Sequence, residues 1–192
     1  MSSFDYDFRY LQAGLEDLEQ YLLSGEIFWN LTTPAPRGEP EYPRLTLGSL
    51  LLARVRLEAR QLTIAQQAQV ADAILRLDAV RTHWRVAWEQ KAKRSFGVRL
   101  RMWRDFIEEY RDSPSANVDR YSYEVRLRVM LHLLGEESDL QNKAEVDLLN
   151  SLDAYLKVNL TPGKFIWESE IQAGFPSDVY WYLYGFLSEN IR

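Results

Sequence analysis

With 192 residues, 46% of them hydrophobic and 27% charged, the chain is long enough to bury a sizeable core and too apolar to stay disordered. It has no cysteine, so disulfides, thiol nucleophiles and thiolate metal sites drop out, and a net charge of −5 speaks against a generic polyanion binder. The charge is uneven: from Arg54 to Arg104 there are twelve Arg or Lys against four acids, +8 set against −13 elsewhere, a split best explained by acidic segments packing on basic ones within one fold.

No apolar run approaches the roughly 18 to 20 residues that span a bilayer, and Met1 to Asp7 lacks the basic start and apolar stretch of a secretory leader. The expected setting is cytoplasmic, with no membrane partner.

Ser2 or Ser3 can cap a first helix whose inward stripe is Phe4, Phe8, Leu11, Leu15, Leu18 and Leu22, with Gly25 placed to end it. Glu16, Asp17, Glu19 and Gln20 fall on other faces and read as solvated surface. A short apolar run, Glu26 to Leu31, leads into a Pro-rich surface loop over residues 32–45 that carries Pro34, Pro36, Pro40 and Pro43. Thr46 caps a second helix running to about Gln61 on Leu47, Leu50, Leu51, Val55 and Leu57. Thr63 with Gln66 then forms a capping box that opens a third.

The stretch from Thr63 to Arg111 organises the rest. Val70, Ile74 and Leu77 lead into Trp84, Trp88, Ala92, Phe96, Leu100, Trp103, Ile107 and Tyr110, spaced at steps of three or four, which places them on one seam to be covered by other helices. An unbroken helix of that length would reach roughly 70 Å at 1.5 Å per residue, longer than a compact domain of this size is wide. A break is therefore expected, and Ser95-Phe96-Gly97 is its predicted place because glycine weakens a helix interior.

Ser113 to Asn117 stops that element. Val118 to Leu134 has apolar residues on nearly every side and reads as a central buried helix closed by Gly135. Ser138-Asp139-Leu140-Gln141 fits a capping box for a helix bearing Val146, Leu149, Leu152 and Leu156, ended near Pro162-Gly163. An aromatic C-terminal segment, 176–192, is expected to start a short helix at Ser177. Gly25-Glu26-Ile27-Phe28-Trp29-Asn30 echoes Gly163-Lys164-Phe165-Ile166-Trp167-Glu168. Either each run drops apolar side chains back onto the core, or the two pair as a small ribbon.

His83 and His132 sit mid-helix without a zinc spacing, and neither a Gly-rich phosphate loop nor a G-x-S-x-G elbow occurs. Asp105, Glu108, Glu109 and Asp112 lie at a helical spacing that puts at least three carboxylates near one face, which makes them the metal candidates; a hydrolase site would need a second carboxylate set among Glu136, Glu137, Asp139, Glu145 and Asp147. Arg81, Arg85, Arg99, Arg101 and Arg104, interleaved with tryptophan, are the candidate anion or nucleic-acid contacts, although the seam claims the tryptophans. Tyr180, Trp181, Tyr182, Tyr184 and Phe186 would put aromatics all round a terminal helix and are the candidate interface.

The sequence therefore predicts one all-α domain over 1–192: a bundle of five to six helices around one long or broken helix, with a minor two-stranded ribbon as an option. The preferred function is a non-enzymatic interaction or scaffold protein that acts as a homo-oligomer or with a protein partner, and no cofactor is expected. A nucleic-acid accessory role through 54–104 and a Mg²⁺-dependent helical hydrolase are the alternatives.

Overall fold

The computed structural model describes residues 3–138 and 142–189. Helix α1, Phe4–Leu23, starts at Ser3, whose hydroxyl accepts from the Tyr6 amide; Ser2 lies outside the described residues. Leu11, Leu15, Leu18 and Leu22 are buried as expected, while Phe4 and Phe8 are half-buried at the end of the stripe. The helix ends at Ser24, one residue before the expected glycine. Asp17 is not surface: it is buried and accepts from the Thr32 amide (2.7 Å) and hydroxyl (2.8 Å), pinning the start of the Pro-rich connection to α1. A bridge between Trp29 and Leu45 closes that connection at its base.

Thr46 and Ser49 form a reciprocal capping box for α2, Leu47–Glu58, which lies against α1 with most of its leucines buried. Thr63 and Gln66 form a second for α3, Ile64–His83, which packs on α1. The long element does break, but at Trp84 (φ −106°, ψ 34°). Hydrogen bonds continue on both sides, from the Trp84 amide to Val80 and from Trp88 to Trp84, both 2.9 Å. Helix α4, Arg85–Asp112, then runs through Gly97 without interruption. Trp88, Ala92, Phe96, Leu100, Trp103, Ile107 and Tyr110 are buried along it, and Trp84 is half-buried at the bend.

The position of the break follows from packing. α3 lies on α1, whereas α4 lies mainly along a later central helix, α7, Arg126–Glu136. Around Gly97, burial of Phe96 and Leu100 outweighs the loss of about 1 kcal/mol that glycine imposes on a helix. An added Cβ there would meet only the carboxylate end of Glu145, 2.8 Å away. That end is flexible, so Gly97→Ala is expected to raise stability by about 0.5–1 kcal/mol, read as a higher urea midpoint with an unchanged slope.

The expected single helix over 118–134 is segmented: α5, Pro114–Asn117, a 3₁₀ turn at Val118–Arg120, α6, Tyr121–Glu124, and then α7. Pro114 starts α5 at a position that tolerates proline. Gly135 lies inside α7 and does not close it. α7 is largely buried, between α2 and α4. Helix α8, Lys143–Asn159, follows; Asp139, Leu140 and Gln141 of the expected capping box lie outside the described residues.

α8 ends at Asn159, before Pro162-Gly163, which sits in strand β1, Leu160–Phe165. β1 pairs antiparallel with β2, Tyr184–Leu187, with an irregularity between Pro162 and Phe165. The ribbon therefore exists with a different partner from the one expected: Phe165 faces Tyr184, while Trp29 bridges Leu45. No helix starts at Ser177; a 3₁₀ turn at Trp181–Leu183 leads directly into β2, in keeping with the strand preference of Tyr, Trp and Phe. At Gly185 a Cβ would lie 2.4 Å from the Thr161 carbonyl oxygen, so only glycine fits this crossing of the ribbon. Among the described residues no helix is long and apolar enough to cross a membrane. The fold is all-α with a minor two-stranded ribbon.

Candidate functional site

Two features stand out from the packed core: a groove and the outer face of α3. The groove, a cavity of about 1130 Å³, lies where α1, α2, α4, the α6–α7 segment and the Trp167 loop converge. Its polar floor is a chain of hydrogen bonds. The Tyr10 and Ser49 hydroxyls are 2.6 Å apart, Ser49 is 2.9 Å from the Thr46 hydroxyl, and Arg99 Nη2 donates to that same Thr46 oxygen at 3.0 Å. Burial raises the Tyr10 hydroxyl above its ordinary pKa. At the opposite end Arg56 is held between Asp7 (3.2 Å) and Glu168 (3.3 Å), with Trp167 alongside at 5.9 Å. The Trp167 indole donates to the Ser122 carbonyl at 2.9 Å, fixing that wall to α6.

Arg99 is the unusual member. Only 7% of it is exposed, its Nη1 is 3.4 Å from the Met102 sulfur, and its guanidinium lies 5.2 Å over the Phe28 ring. No carboxylate of the described residues is within ion-pair distance of it. Burial, followed by the nearby charge of Arg126, lowers its pKa from the ordinary arginine value.

The other sequence candidates lie elsewhere. Arg81 pairs with Glu137 (2.8 Å), Arg85 with Glu89 (2.9 Å), and Arg104 with Asp105 (2.8 Å) and Glu108 (3.6 Å), while Arg101 faces solvent. Trp88 and Trp103 are built into the core, and the Trp88 indole donates to Glu137 at 2.8 Å. Acids from outside the basic stretch do pack against it, with Asp7, Glu168 and Glu170 on Arg56 and Arg60.

Asp105, Glu108, Glu109 and Asp112 are exposed, and Glu109 pairs with Arg120 (2.6 Å) and Asp112 with Arg111 (3.6 Å). Of the proposed facing set, Glu136 goes to His132 and Glu137 to Arg81; Asp139 lies outside the described residues. Among those residues no three His, Asp or Glu gather in metal-binding geometry. His132 lies edge-on to Tyr180 at 4.9 Å, and burial lowers its pKa. His83 is exposed beside Trp84.

The aromatic C-terminal segment turns mostly inward. Tyr180 and Tyr182 are buried, Tyr184 donates to the Phe175 carbonyl at 2.7 Å, and Trp181 is half-buried under Lys157. Phe186, 56% exposed, is the outward member.

The outer face of α3 is apolar. Ile64, Ala68, Ala71, Leu75, Ala79 and Thr82 recur at steps of four and three, all exposed, with Ile64 at 86% and Leu75 at 70%. Val86, 68% exposed, lies two residues past the bend, in the first turn of α4. The buried residues Val70, Ala73 and Leu77 occupy the opposite face. Asp72 and Arg76 border the outer stripe on one side, and neither is ion-paired among the described residues. The 3.6 period could have revealed this second stripe, but alanine gives a weak apolar signal beside the tryptophan seam. Compared with known protein families, curated proteins and solved structures, the chain matches none.

Proposed function

We propose that the chain is a non-enzymatic helical interaction protein that works as a homodimer joined through the outer face of α3. The observation that carries this reading is the exposed apolar stripe from Ile64 to Val86, set opposite the face that α3 buries in its own core. A helix apolar on two opposite faces has one face to place elsewhere.

A second copy fits the stripe because the pattern is symmetric about Leu75. In an antiparallel pair Ile64 meets Val86, Ala68 meets Thr82, Ala71 meets Ala79, and Leu75 meets its own counterpart. Such a contact is isologous and closes on itself. Asp72 of each copy then lies within reach of Arg76 of the other, giving two reciprocal ion pairs on one flank. The alanines allow close approach over about 27 Å of α3, from Ile64 to Thr82, at 1.5 Å per residue. The internal ion pairs of Arg81, Arg85 and Arg104 give a nucleic-acid role less support.

Equilibrium sedimentation tests the reading. The wild-type chain is expected at twice its mass of 22.6 kDa, and Leu75→Glu, which puts two like charges opposite one another, is expected to give the monomer with an unchanged far-UV spectrum. A wild-type monomer at about 100 μM, a concentration at which micromolar association saturates, would overturn the proposal, as would a Leu75→Glu dimer of undiminished affinity.

A further inference from the structure

Independently of dimerisation, we propose that the groove binds a small aromatic anion, a carboxylate or phosphate carried on a flat ring, with the anionic group on Arg99 and Arg126 and the ring against Tyr10, Tyr42 and Phe28.

The reasoning begins with the placement of charge. Arg99 is more than nine-tenths buried at the groove floor, without a carboxylate partner among the described residues. Its guanidinium donates to the hydroxyl of Thr46, the residue that caps α2. A helix N-terminus carries a partial positive charge, so this arginine adds a cation where the backbone is already positive. Arg126 brings another: it lies 3.4 Å from the Tyr123 ring centre, donates to the Tyr123 carbonyl at 2.9 Å and forms a long ion pair with Glu124 at 3.7 Å. Arg44, exposed, stands on the groove rim.

Taking a cation out of water without an opposite charge is costly. Internal arginines elsewhere in this chain are matched: Arg56 and Arg60 with Asp7, Arg128 with Asp153. At Arg99 the partners are a hydroxyl, a thioether and a ring face, none of which carries a negative charge. Two planar guanidinium groups facing one cavity are suited to the oxygens of a carboxylate or phosphate.

The walls specify the rest of the ligand. Tyr10 and Tyr42 are edge-on to one another at 5.7 Å, and Phe28 lies on the Arg99 side. Concave aromatic walls with a few convergent polar groups are the usual form of a small-ligand site. Of the three acids that line the groove, Asp7 and Glu168 are engaged with Arg56 and Glu41 is exposed, set against Arg44, Arg99 and Arg126 on the same lining.

Calorimetric titration of the full chain with phenyl phosphate, inorganic phosphate, benzoate and benzyl alcohol tests this. Phenyl phosphate or benzoate is expected to bind with a Kd below about 1 mM. Inorganic phosphate should bind about tenfold more weakly for want of the ring contacts, and benzyl alcohol should give no saturable heat. Arg99→Met is expected to abolish binding. Since that variant also loses a contact to the α2 cap, Arg126→Gln, at a partly exposed position, provides the second test, with a loss of about tenfold or more for a charge-assisted contact. Tyr42→Ala should reduce phenyl phosphate to the affinity of inorganic phosphate. Absence of binding by both aromatic anions at about 10 mM, equal binding of benzyl alcohol, or affinities unchanged by Arg126→Gln would overturn the proposal.

Discussion

Alanine at Trp103 is expected to lower the unfolding free energy by about 3–5 kcal/mol, the range for removing a large buried aromatic. Trp103 has no solvent exposure and is stacked on Phe106 at 5.5 Å, in the middle of the seam that α4 presents to the rest of the core. Fixed helices surround the site, so the space left by the indole can close only in part, which is why the cavity term adds to the transfer term. Trp103→Phe separates the two contributions. The indole nitrogen has no hydrogen-bond partner among the described residues, so phenylalanine removes an unsatisfied donor while keeping most of the apolar contact. Its cost is expected to be less than half that of alanine. Urea unfolding at constant slope measures both.

Arg128→Met is expected to cost about 3 kcal/mol, the lower end of what breaking a buried ion pair costs. Arg128 is 9% exposed and donates from two nitrogens to the two oxygens of Asp153 on α8, at 2.8 and 2.7 Å. Its guanidinium also lies 4.7 Å over the Tyr182 ring. One side chain of α7 therefore ties down α8 and the segment that precedes β2. Methionine fills similar volume but strands the Asp153 carboxylate, which is 17% exposed and so can be partly rehydrated; that exposure sets the lower end of the range. The Arg128→Met, Asp153→Leu double variant should recover about half or more of the loss, because no charge is then left behind.

The parts of this fold that depend on near neighbours in sequence were legible. Ser3, Thr46 and Thr63 start their helices where the capping pattern placed them, since a cap involves only the next three residues. The α1 and α4 stripes follow from a period of 3.6. The bend at Trp84 was not legible, because it records that α3 and α4 lie on different helices, whereas glycine propensity pointed to residue 97. Strand β2 was read as helix because its partner, Leu160 to Phe165, is about twenty residues away and register is a long-range choice.

The candidate surfaces show the same division. Asp17 is expected on the surface, and Lys91 and Arg99 enter only as members of the basic stretch, yet each is buried. Lys91 donates to the Ser24 (3.0 Å) and Glu26 (2.8 Å) carbonyls, and burial lowers its pKa to about 8. Their partners are distant in sequence, so no local pattern marks them. Arg99 was among the arginines chosen for an anion, but on grounds of composition. Its distinguishing property, burial beside Thr46 and Arg126 without a carboxylate, arises only when α2, α4 and α7 are brought together.

The most direct test of the central claim is cysteine cross-linking, which the natural absence of cysteine makes clean. Under mild oxidation Leu75→Cys is expected to give a covalent dimer in high yield, because the antiparallel two-fold places residue 75 opposite itself. Thr82→Cys, which faces Ala68 of the other copy, is expected to stay monomeric on a denaturing gel. Failure of Leu75→Cys to cross-link would contradict the interface, and cross-linking of both variants would contradict its antiparallel register.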